Sequence, residues 1–272
     1  MEYRIGKFQY ERINMYPFLS LFGLSIPMYG LCMFFAILIA IIYSSLKARK
    51  KGICFEDVLI VAAFALGSAI LCGNLLYIAV TFSFSQIISF IKSGDFSFIT
   101  SGGIVFYGGL IGGIGGAFIG AKVAGTKLAE FDDIVVPCLP LCHAIGRVGC
   151  LLAGCCYGME YYGPFSIYYK NSVFGLASNI GHFPVQPLEA LLDIAIALFL
   201  FHYAKRKRPP FFILCKYISL YAIMRFCTEF FRGDSVRGIF GALSTSQWIS
   251  IGLLATSITI RLLIKHKKRS NI

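Results

Sequence analysis

Charged residues are scarce in this chain. Only 14% of its 272 residues carry a charge, whereas 57% are apolar. A soluble domain of this size carries about 25% charged residues. The shortage excludes an ordinary water-soluble domain and predicts an all-α polytopic membrane protein, organised as one integral membrane domain over residues 1–272.

Three common sequence patterns are also missing. No glycine pattern of the GxGxxG type stands between a strand and a helix, which excludes a dinucleotide fold. No basic stretch precedes the first long apolar run, so we expect no cleavable signal peptide. No CxxC pair occurs among the ten cysteines.

Most of the cysteines fall inside apolar segments, where a free thiol behaves as a small apolar residue. The group around His143 is dense enough to consider a metal, with Cys138, Cys142, Cys150, Cys155 and Cys156. Adjacent cysteines do not easily both ligate a tetrahedral ion, so we expect no metal and no organic cofactor. A thiol-redox or metal-binding membrane protein remains an alternative.

Seven apolar segments are long enough to cross a bilayer. They lie at about 27–46, 58–80, 103–124, 134–153, 185–204, 211–229 and 246–264. The fourth is the least regular because Pro137 and Pro140 interrupt it. If all seven span, 15 of the 25 Lys and Arg lie on one side and seven on the other. This asymmetry predicts an outside N-terminus and a cytoplasmic C-terminus.

The net charge of +12 therefore reflects topology and anionic lipid headgroups, and we expect no nucleic-acid partner.

The most informative stretch runs from His143 to Gly158 and contains Gly146-Arg147-Val-Gly149. An arginine in the membrane costs roughly 3 kcal/mol unless it is compensated, so such residues are usually functional. The glycines allow a backbone or a phosphate-bearing ligand to approach the guanidinium, whose planar fork suits a phosphodiester. An interhelical ion pair is the alternative.

Two further segments carry polar residues on one helical face. In the sixth segment these are Tyr221, Arg225, Glu229 and Arg232, and in the fifth they are Gln186, Glu189 and Asp193. The first set has surplus positive charge and so favours an anion, although an Arg225–Glu229 ion pair is the simpler interpretation. Glu189 could orient an arginine or accept a proton.

The third segment is rich in glycine. Gly108, Gly112, Gly116 and Gly120 recur every four residues, a pattern that allows close helix packing. Packing does not account for Gly102 and Gly103, which precede Tyr107 at the outer mouth of the segment.

Together these segments resemble the phosphatidylglycerol–prolipoprotein diacylglyceryl transferases of bacteria. The resemblance covers nearly the whole chain, and Gly146-Arg147-Val-Gly149 and Arg225-Phe-Cys-Thr-Glu229-Phe-Phe-Arg232 carry it most specifically. It implies seven membrane helices in the bacterial inner membrane. It also implies transfer of a diacylglyceryl group from phosphatidylglycerol to the lipobox cysteine thiol of a prolipoprotein, with a thioether formed and glycerol 1-phosphate released.

The resemblance also implies roles for individual residues. Arg147 would hold the donor phosphate, and Arg225 would be a second clamp for the leaving group. Tyr107 and Glu189 would complete the catalytic set. Substrate-binding positions would be Tyr29, Gly102, Gly103, Gly158, Gln186, Tyr221, Glu229 and Arg232.

This chain departs from the family pattern at three positions. Tyr107 replaces a histidine often regarded as the base, Asn74 replaces an arginine, and Cys150 replaces an asparagine. These departures leave a divergent but competent enzyme, a paralogue with another acceptor and an inactive relative as alternatives. A membrane lipid-binding or transport protein is the alternative from a different class.

Overall fold

The computed structural model describes residues 13–14, 16–21, 23–94, 105–170, 176, 179–233 and 238–270. The protein is mostly helical, as its composition predicts. The described residues form two compact units, one within residues 41–134 and the other comprising the rest. Helix α1 (Met28–Arg49) contributes to both units. That the chain is a single domain stays a prediction.

The unit within residues 41–134 is built on two apolar helices, α2 (Phe55–Thr81) and α4 (Phe106–Val123). Between them lies α3 (Phe84–Ser93), a short amphipathic helix. Ser83 caps α3, accepting a hydrogen bond from the Gln86 backbone N–H at 3.4 Å while the Gln86 side chain accepts one from the Ser83 N–H at 2.9 Å. Such a reciprocal cap satisfies N–H groups that the first helical turn leaves unpaired.

Helices α2 and α4 pack through glycine, which confirms the packing prediction. A Cβ added at Gly108, Gly112 or Gly116 would overlap a backbone oxygen of α2, and one at Gly120 would lie 2.9 Å from the Val61 Cα. Gly115, on another face of α4, has nothing within 4 Å of such an atom. We call Gly108, Gly112, Gly116 and Gly120 the glycine seam.

The loops at one end of this unit are joined by an ion pair. Lys51 follows α1, and Asp133 lies in the connection after α4. The Lys51 ammonium contacts the Asp133 carboxylate and lies 3.5 Å from the Glu130 carbonyl oxygen. Both loops therefore lie at the same end of the unit, as expected for loops on one side of a membrane.

Among its described residues, the other unit contains four further α-helices. A short 3₁₀ turn, Val136–Cys138, leads into α5 (Leu139–Ala153), so the irregularity expected at the two prolines is present. Helices α6 (Val185–Tyr203), α7 (Phe212–Thr228) and α8 (Thr245–Ser270) complete the set. Their core cluster consists of Val136, Ile196, Leu200, Ala204, Ile213, Tyr217 and Met224.

Short strands join the helices, which the all-α prediction did not include. Strand β4 (Ile167–Lys170) pairs in parallel with β1 (Ile13–Asn14) and antiparallel with β5 (Gly181–His182). Two hairpins precede α1 and α8. Their strands are β2 (Phe18–Leu21), β3 (Leu24–Pro27), β6 (Ile239–Phe240) and β7 (Leu243–Ser244).

Within the described ranges, five helical stretches are long and apolar enough to cross a membrane. They are Met28–Arg49, Phe55–Thr81, Val136–Ala153, Val185–Tyr203 and Thr245–His266. Helices α4 and α7 occupy the other two predicted segments, but the fully described part of α4 is the shorter stretch Gly108–Val123, and α7 has 17 residues. A multi-pass membrane protein is therefore supported, whereas the count of seven spans and the orientation stay predictions.

Candidate active site

Glu189 is the centre of the polar cluster in the larger unit. Helix α6 begins at Val185, with Pro184 before it and Pro187 in its first turn, where free N–H groups make proline tolerable. Glu189 lies in the second turn, and its side chain has no exposed surface. A buried carboxylate is costly without charged partners, so its surroundings decide what it does.

Three arginines surround this carboxylate. Arg147 Nε of α5 lies 3.1 Å from Glu189 Oε2, and Arg225 Nη1 of α7 lies 2.9 Å from Glu189 Oε1. Arg232 Nη1, just beyond α7, lies 3.7 Å from Oε2. The Thr228 hydroxyl donates to Oε1 at 3.1 Å. Glu189 therefore joins three segments that are distant in the sequence.

Arg225 is held by a second carboxylate as well. Its Nη2 lies 2.7 Å from Glu229 Oε2, one helical turn along, and 3.5 Å from the Ser246 hydroxyl. Ser244 donates to Glu229 Oε1 at 2.9 Å. The ion pair considered as the simpler interpretation of this stripe is thus present, and both terminal nitrogens of Arg225 are engaged.

Arg147 is engaged differently. Its ion pair uses Nε, and within the part of the chain that the structure describes no hydrogen bond or ion pair occupies its two terminal nitrogens. Of the three arginines it also has the most exposed side chain, 19% against 14% for Arg225 and 5% for Arg232. Arg147 is therefore the guanidinium best placed to form a bidentate contact with a ligand.

Three guanidinium groups and the carboxylates of Glu189 and Glu229 meet in this cluster. Asp193 is buried on the same face of α6, and its charge interacts with that of Arg147, although neither of its oxygens has a hydrogen-bond partner among the described residues. A guanidinium whose terminal nitrogens are open, such as that of Arg147, favours an anionic ligand.

The glycines around Arg147 admit helix α1. A Cβ at Gly149 would lie 3.1 Å from the Cys32 Cβ and 3.2 Å from a Tyr29 ring carbon. A Cβ at Gly146 would lie 3.4 Å from the Met33 sulfur. Tyr29 itself is 45% exposed, so it borders the site and remains accessible to a ligand.

Tyr221 belongs to a cluster of aromatic rings beside the arginines. Its ring centroid lies 5.2 Å from that of His143 and 5.9 Å from that of Tyr217. His143 Nδ1 and the Tyr217 hydroxyl are 2.9 Å apart, so the His143 ring has a hydrogen-bond partner on α7. The charges of Arg147 and Arg225 act on the Tyr221 hydroxyl.

Gln186 is engaged by protein groups. It is fully buried, its Nε2 donates to the Cys155 carbonyl at 2.9 Å, and its amide contacts the Tyr169 hydroxyl at 2.7 and 3.0 Å. Burial raises the pKa of Tyr169 well above its usual value, so this hydroxyl stays protonated. Gln186 therefore fastens β4 and the loop after α5 to the start of α6.

Gly158 holds the end of this loop against two other segments. It forms an isolated bridge with Arg232, and its carbonyl oxygen lies 2.9 Å from His182 Nδ1. A Cβ at this position would overlap the Phe183 carbonyl oxygen. The close approach explains why glycine is needed here, and it fixes the position of Arg232.

Gly102 and Gly103 lie outside the described residues. Tyr107 is placed in the first turn of α4, but its side chain is outside the description. Asn74 lies on α2, in the same unit as Tyr107. The roles of all four stay predictions.

Sequence reasoning missed three groups that the fold brings to the cluster. Thr228 directly precedes Glu229, and only this position beside the charged residues could have indicated that it belongs to the site. Ser244 ends β7 and Ser246 lies in the first turn of α8, some twenty residues from Arg225, and no periodicity connects them with it. Helical spacing within one segment cannot predict polar partners that a separate segment brings to the site.

The fold and the cluster define the class: a multi-pass membrane protein in which arginines and glutamates from several helices meet at one site. A family model described as prolipoprotein diacylglyceryl transferase matches residues 17–263. The chain therefore belongs to the prolipoprotein diacylglyceryl transferase family and is a transferase.

Similar proteins agree with this assignment. The phosphatidylglycerol–prolipoprotein diacylglyceryl transferase of Clostridium tetani is 33% identical over 92% of this chain and 98% of its own length. A second protein of that name, numbered 2, from Clostridium perfringens is 32% identical over 92% and 95%. One from Dehalococcoides mccartyi (strain ATCC BAA-2266 / KCTC 15142 / 195) is 30% identical over 92% and 93%.

Proposed function

We propose that this protein transfers a diacylglyceryl group from phosphatidylglycerol to the lipobox cysteine of a prolipoprotein in the bacterial inner membrane. The product is a thioether, and glycerol 1-phosphate leaves. The names of the relatives give the donor and the acceptor. The observation that carries the proposal for this chain is Arg147, whose terminal nitrogens are uncommitted among the described residues and whose side chain is partly exposed.

Donor binding follows from the geometry of that arginine. Nε of Arg147 forms an ion pair with Glu189, which keeps that edge of the guanidinium against the carboxylate. The terminal nitrogens can then take two oxygens of one phosphodiester, the bidentate contact for which arginine is suited. Glu189 is fully enclosed by three arginines and Thr228, which supports a positioning role for it rather than contact with substrate.

The chemistry is a displacement at carbon. The acceptor thiolate attacks the glyceryl carbon bonded to the phosphate oxygen, a carbon–sulfur bond forms, and the carbon–oxygen pair of electrons stays with the departing phosphate. The thiol proton is released to water. Negative charge grows on the leaving phosphate, so fixed guanidinium groups stabilise the transition state more than the ground state.

The same positive field helps to form the nucleophile. A free cysteine thiol has a pKa near 8.5, and nearby cations lower it. The hydrogen bonds of Cys150 and Cys155, together with the charges of Arg232 and Arg147, lower the pKa of the Cys156 thiol at the edge of the site. An acceptor thiol that enters beside these arginines would experience their positive charges but not those hydrogen bonds, and on this proposal the charges alone favour the thiolate without a dedicated base.

Arg147→Lys tests the proposal. The substitution keeps the charge but replaces a planar fork with a single ammonium, so one hydrogen bond to a charged group is lost, worth about 1.5–3 kcal/mol. We expect roughly a 10- to 100-fold loss in transfer. The measurement uses purified protein in micelles that contain phosphatidylglycerol, with the mass of a lipobox peptide and released glycerol 1-phosphate as readouts.

Arg206→Lys is the matched control, because Arg206 is exposed in the basic run after α6, away from the cluster. It should leave transfer unchanged. Full activity in Arg147→Lys would mean that the residue serves only the fold. Wild-type protein that binds phosphatidylglycerol but modifies no lipobox peptide would instead indicate a different acceptor.

A further inference from the structure

Three cysteine side chains converge at the C-terminal end of α5, beside the arginine cluster. The Sγ atoms of Cys150, Cys155 and Cys156 all lie within 4.8 Å of one another. Sulfurs bound to a single metal ion at about 2.3 Å lie roughly 4 Å apart. The separation in the protein is therefore close to that of a ligand set, and we call these residues the three-sulfur cluster.

The backbone explains how adjacent cysteines meet. In an extended chain, neighbouring side chains point to opposite faces, which is why the sequence argued against a shared ion. Here Gly154 ends α5 in the left-handed conformation (φ 74°), and Cys156 adopts it too (φ 57°). A left-handed cysteine is uncommon, and this bend keeps the sulfurs of Cys155 and Cys156 together.

The surroundings suit thiolate ligands. Cys150 is buried, and Cys155 and Cys156 are half-buried, so the cluster is partly shielded from water but can be reached. Cys150 lies three residues after Arg147, on the same face of α5. The charges of Arg147 and Arg232 both act on Cys156. These two positive charges offset the negative charge that accumulates when several thiolates share one ion.

We propose that Cys150, Cys155 and Cys156 form a binding site for a thiophilic d¹⁰ cation. Soft thiolates select Cu(I) and Zn(II). The described residues supply three sulfurs and no fourth side-chain ligand in the group, which fits three-coordinate Cu(I), or zinc completed by one water. Binding replaces the thiol protons, which pass to the buffer.

An occupied site would act on the arginine cluster. Three thiolates outweigh the charge of either cation, so the complex is anionic and attracts the guanidinium of Arg147. The same guanidinium is the one proposed to hold the donor phosphate. Occupancy is therefore expected to weaken phosphatidylglycerol binding, which makes the three-sulfur cluster a regulatory metal site; this consequence alone rests on the proposed function.

Metal titration of the purified, fully reduced protein tests the site without lipid or acceptor. Cu(I) is offered as its complex with a chromogenic chelator, and Co(II) is used as a spectroscopic substitute for zinc. We expect one equivalent per chain of at least one of the two, seen as loss of chelate colour or as sulfur-to-cobalt charge-transfer absorption. Absence of binding in both titrations would overturn the proposal.

Serine variants locate the binding. Cys150→Ser, Cys155→Ser and Cys156→Ser should each weaken binding at least tenfold, whereas Cys142→Ser, on the same helix but outside the cluster, should bind as wild type. Equal binding by all four variants would place the ion elsewhere and overturn the proposal.

If a serine variant does not fold, alkylation of the wild-type protein tests the site instead. Bound metal should protect Cys150, Cys155 and Cys156 but not Cys142 from a thiol reagent, as read by peptide mass. Protection that is unchanged by metal would also count against the site. None of these readouts depends on transfer activity. A failure to bind metal would therefore leave the proposed function intact, and a failure of transfer would leave the metal site intact.

Discussion

The glycine seam and the Glu189 cluster join helices in opposite ways. Along the seam, backbone meets backbone because α4 lacks side chains where α2 approaches. Around Glu189, helices are joined through long charged side chains that meet at one carboxylate. The first arrangement depends on size and the second on charge. The close packing along the seam stabilises the fold. The ion pairs around Glu189 also stabilise the fold, and they leave the terminal nitrogens of Arg147 open to a ligand.

Removing the central charge should have the largest effect. Glu189→Gln leaves three guanidinium groups without their shared carboxylate, and breaking a buried ion pair costs about 3–5 kcal/mol. We expect a large drop in unfolding temperature in detergent and loss of transfer. Glu160→Gln, exposed in the same unit, is the control and should change neither. A Glu189→Gln protein as stable as wild type would mean that solvent or lipid compensates the arginines.

A methyl group in the seam should have the next largest effect. Gly116→Ala places a Cβ against the Phe64 carbonyl oxygen, and overpacking of this kind costs about 1–3 kcal/mol. Gly115→Ala is an ideal control because it adds the same atom on the open face of the same helix, where alanine favours the helix by up to about 1 kcal/mol. The two thermal unfolding curves should therefore shift in opposite directions. Equal shifts would show that the seam is not tightly packed.

Much of the helical framework could be predicted from the sequence. The segment expected at 185–204 is the helix Val185–Tyr203, and the one at 211–229 is Phe212–Thr228. Apolar length and the flanking prolines carry that information. Helix α3 was missed, although Ser83 and Gln86 form the cap that could have revealed it. The two-residue strands had no signal, since so short a run has no period.

The site could be predicted in its parts but not in its connections. Helical spacing placed Arg225 and Glu229 on one stripe, and an intramembrane charge drew attention to Arg147. Glu189 contacts all three arginines because of the way α5, α6 and α7 pack. The polar pattern along any one helix does not predict that packing. The convergence of Cys155 and Cys156 depends on the left-handed conformation of Cys156, which the sequence does not predict because the residue is not glycine.

A neutral hydrogen bond to the central carboxylate should contribute less. Thr228→Val removes the hydroxyl 3.1 Å from Glu189 Oε1, where Arg225 remains bound, so the expected loss of stability is about 1 kcal/mol. Thr256→Val is the control, because the Thr256 hydroxyl bonds only its own helix, to Gly252. Thermal unfolding of the two variants should differ by a few degrees. No difference would mean that the ion pairs alone hold Glu189.

The smallest effect is expected at Tyr107, where the family pattern has a histidine. A tyrosine with an ordinary pKa near 10 is a poor base at neutral pH, so thiolate formation here is assigned to the arginine field. Tyr107→Phe should then keep substantial transfer activity, and Tyr107→His should equal or exceed the wild type, both measured by lipobox peptide mass. The comparison separates donor binding from acceptor activation, since Arg147→Lys removes the bidentate contact and Tyr107→Phe removes only a hydroxyl. If Tyr107→Phe abolished transfer while unfolding at the wild-type temperature, the hydroxyl would have an obligatory proton role. The positive cluster around Glu189 would then be responsible for holding the donor and not for activating the acceptor.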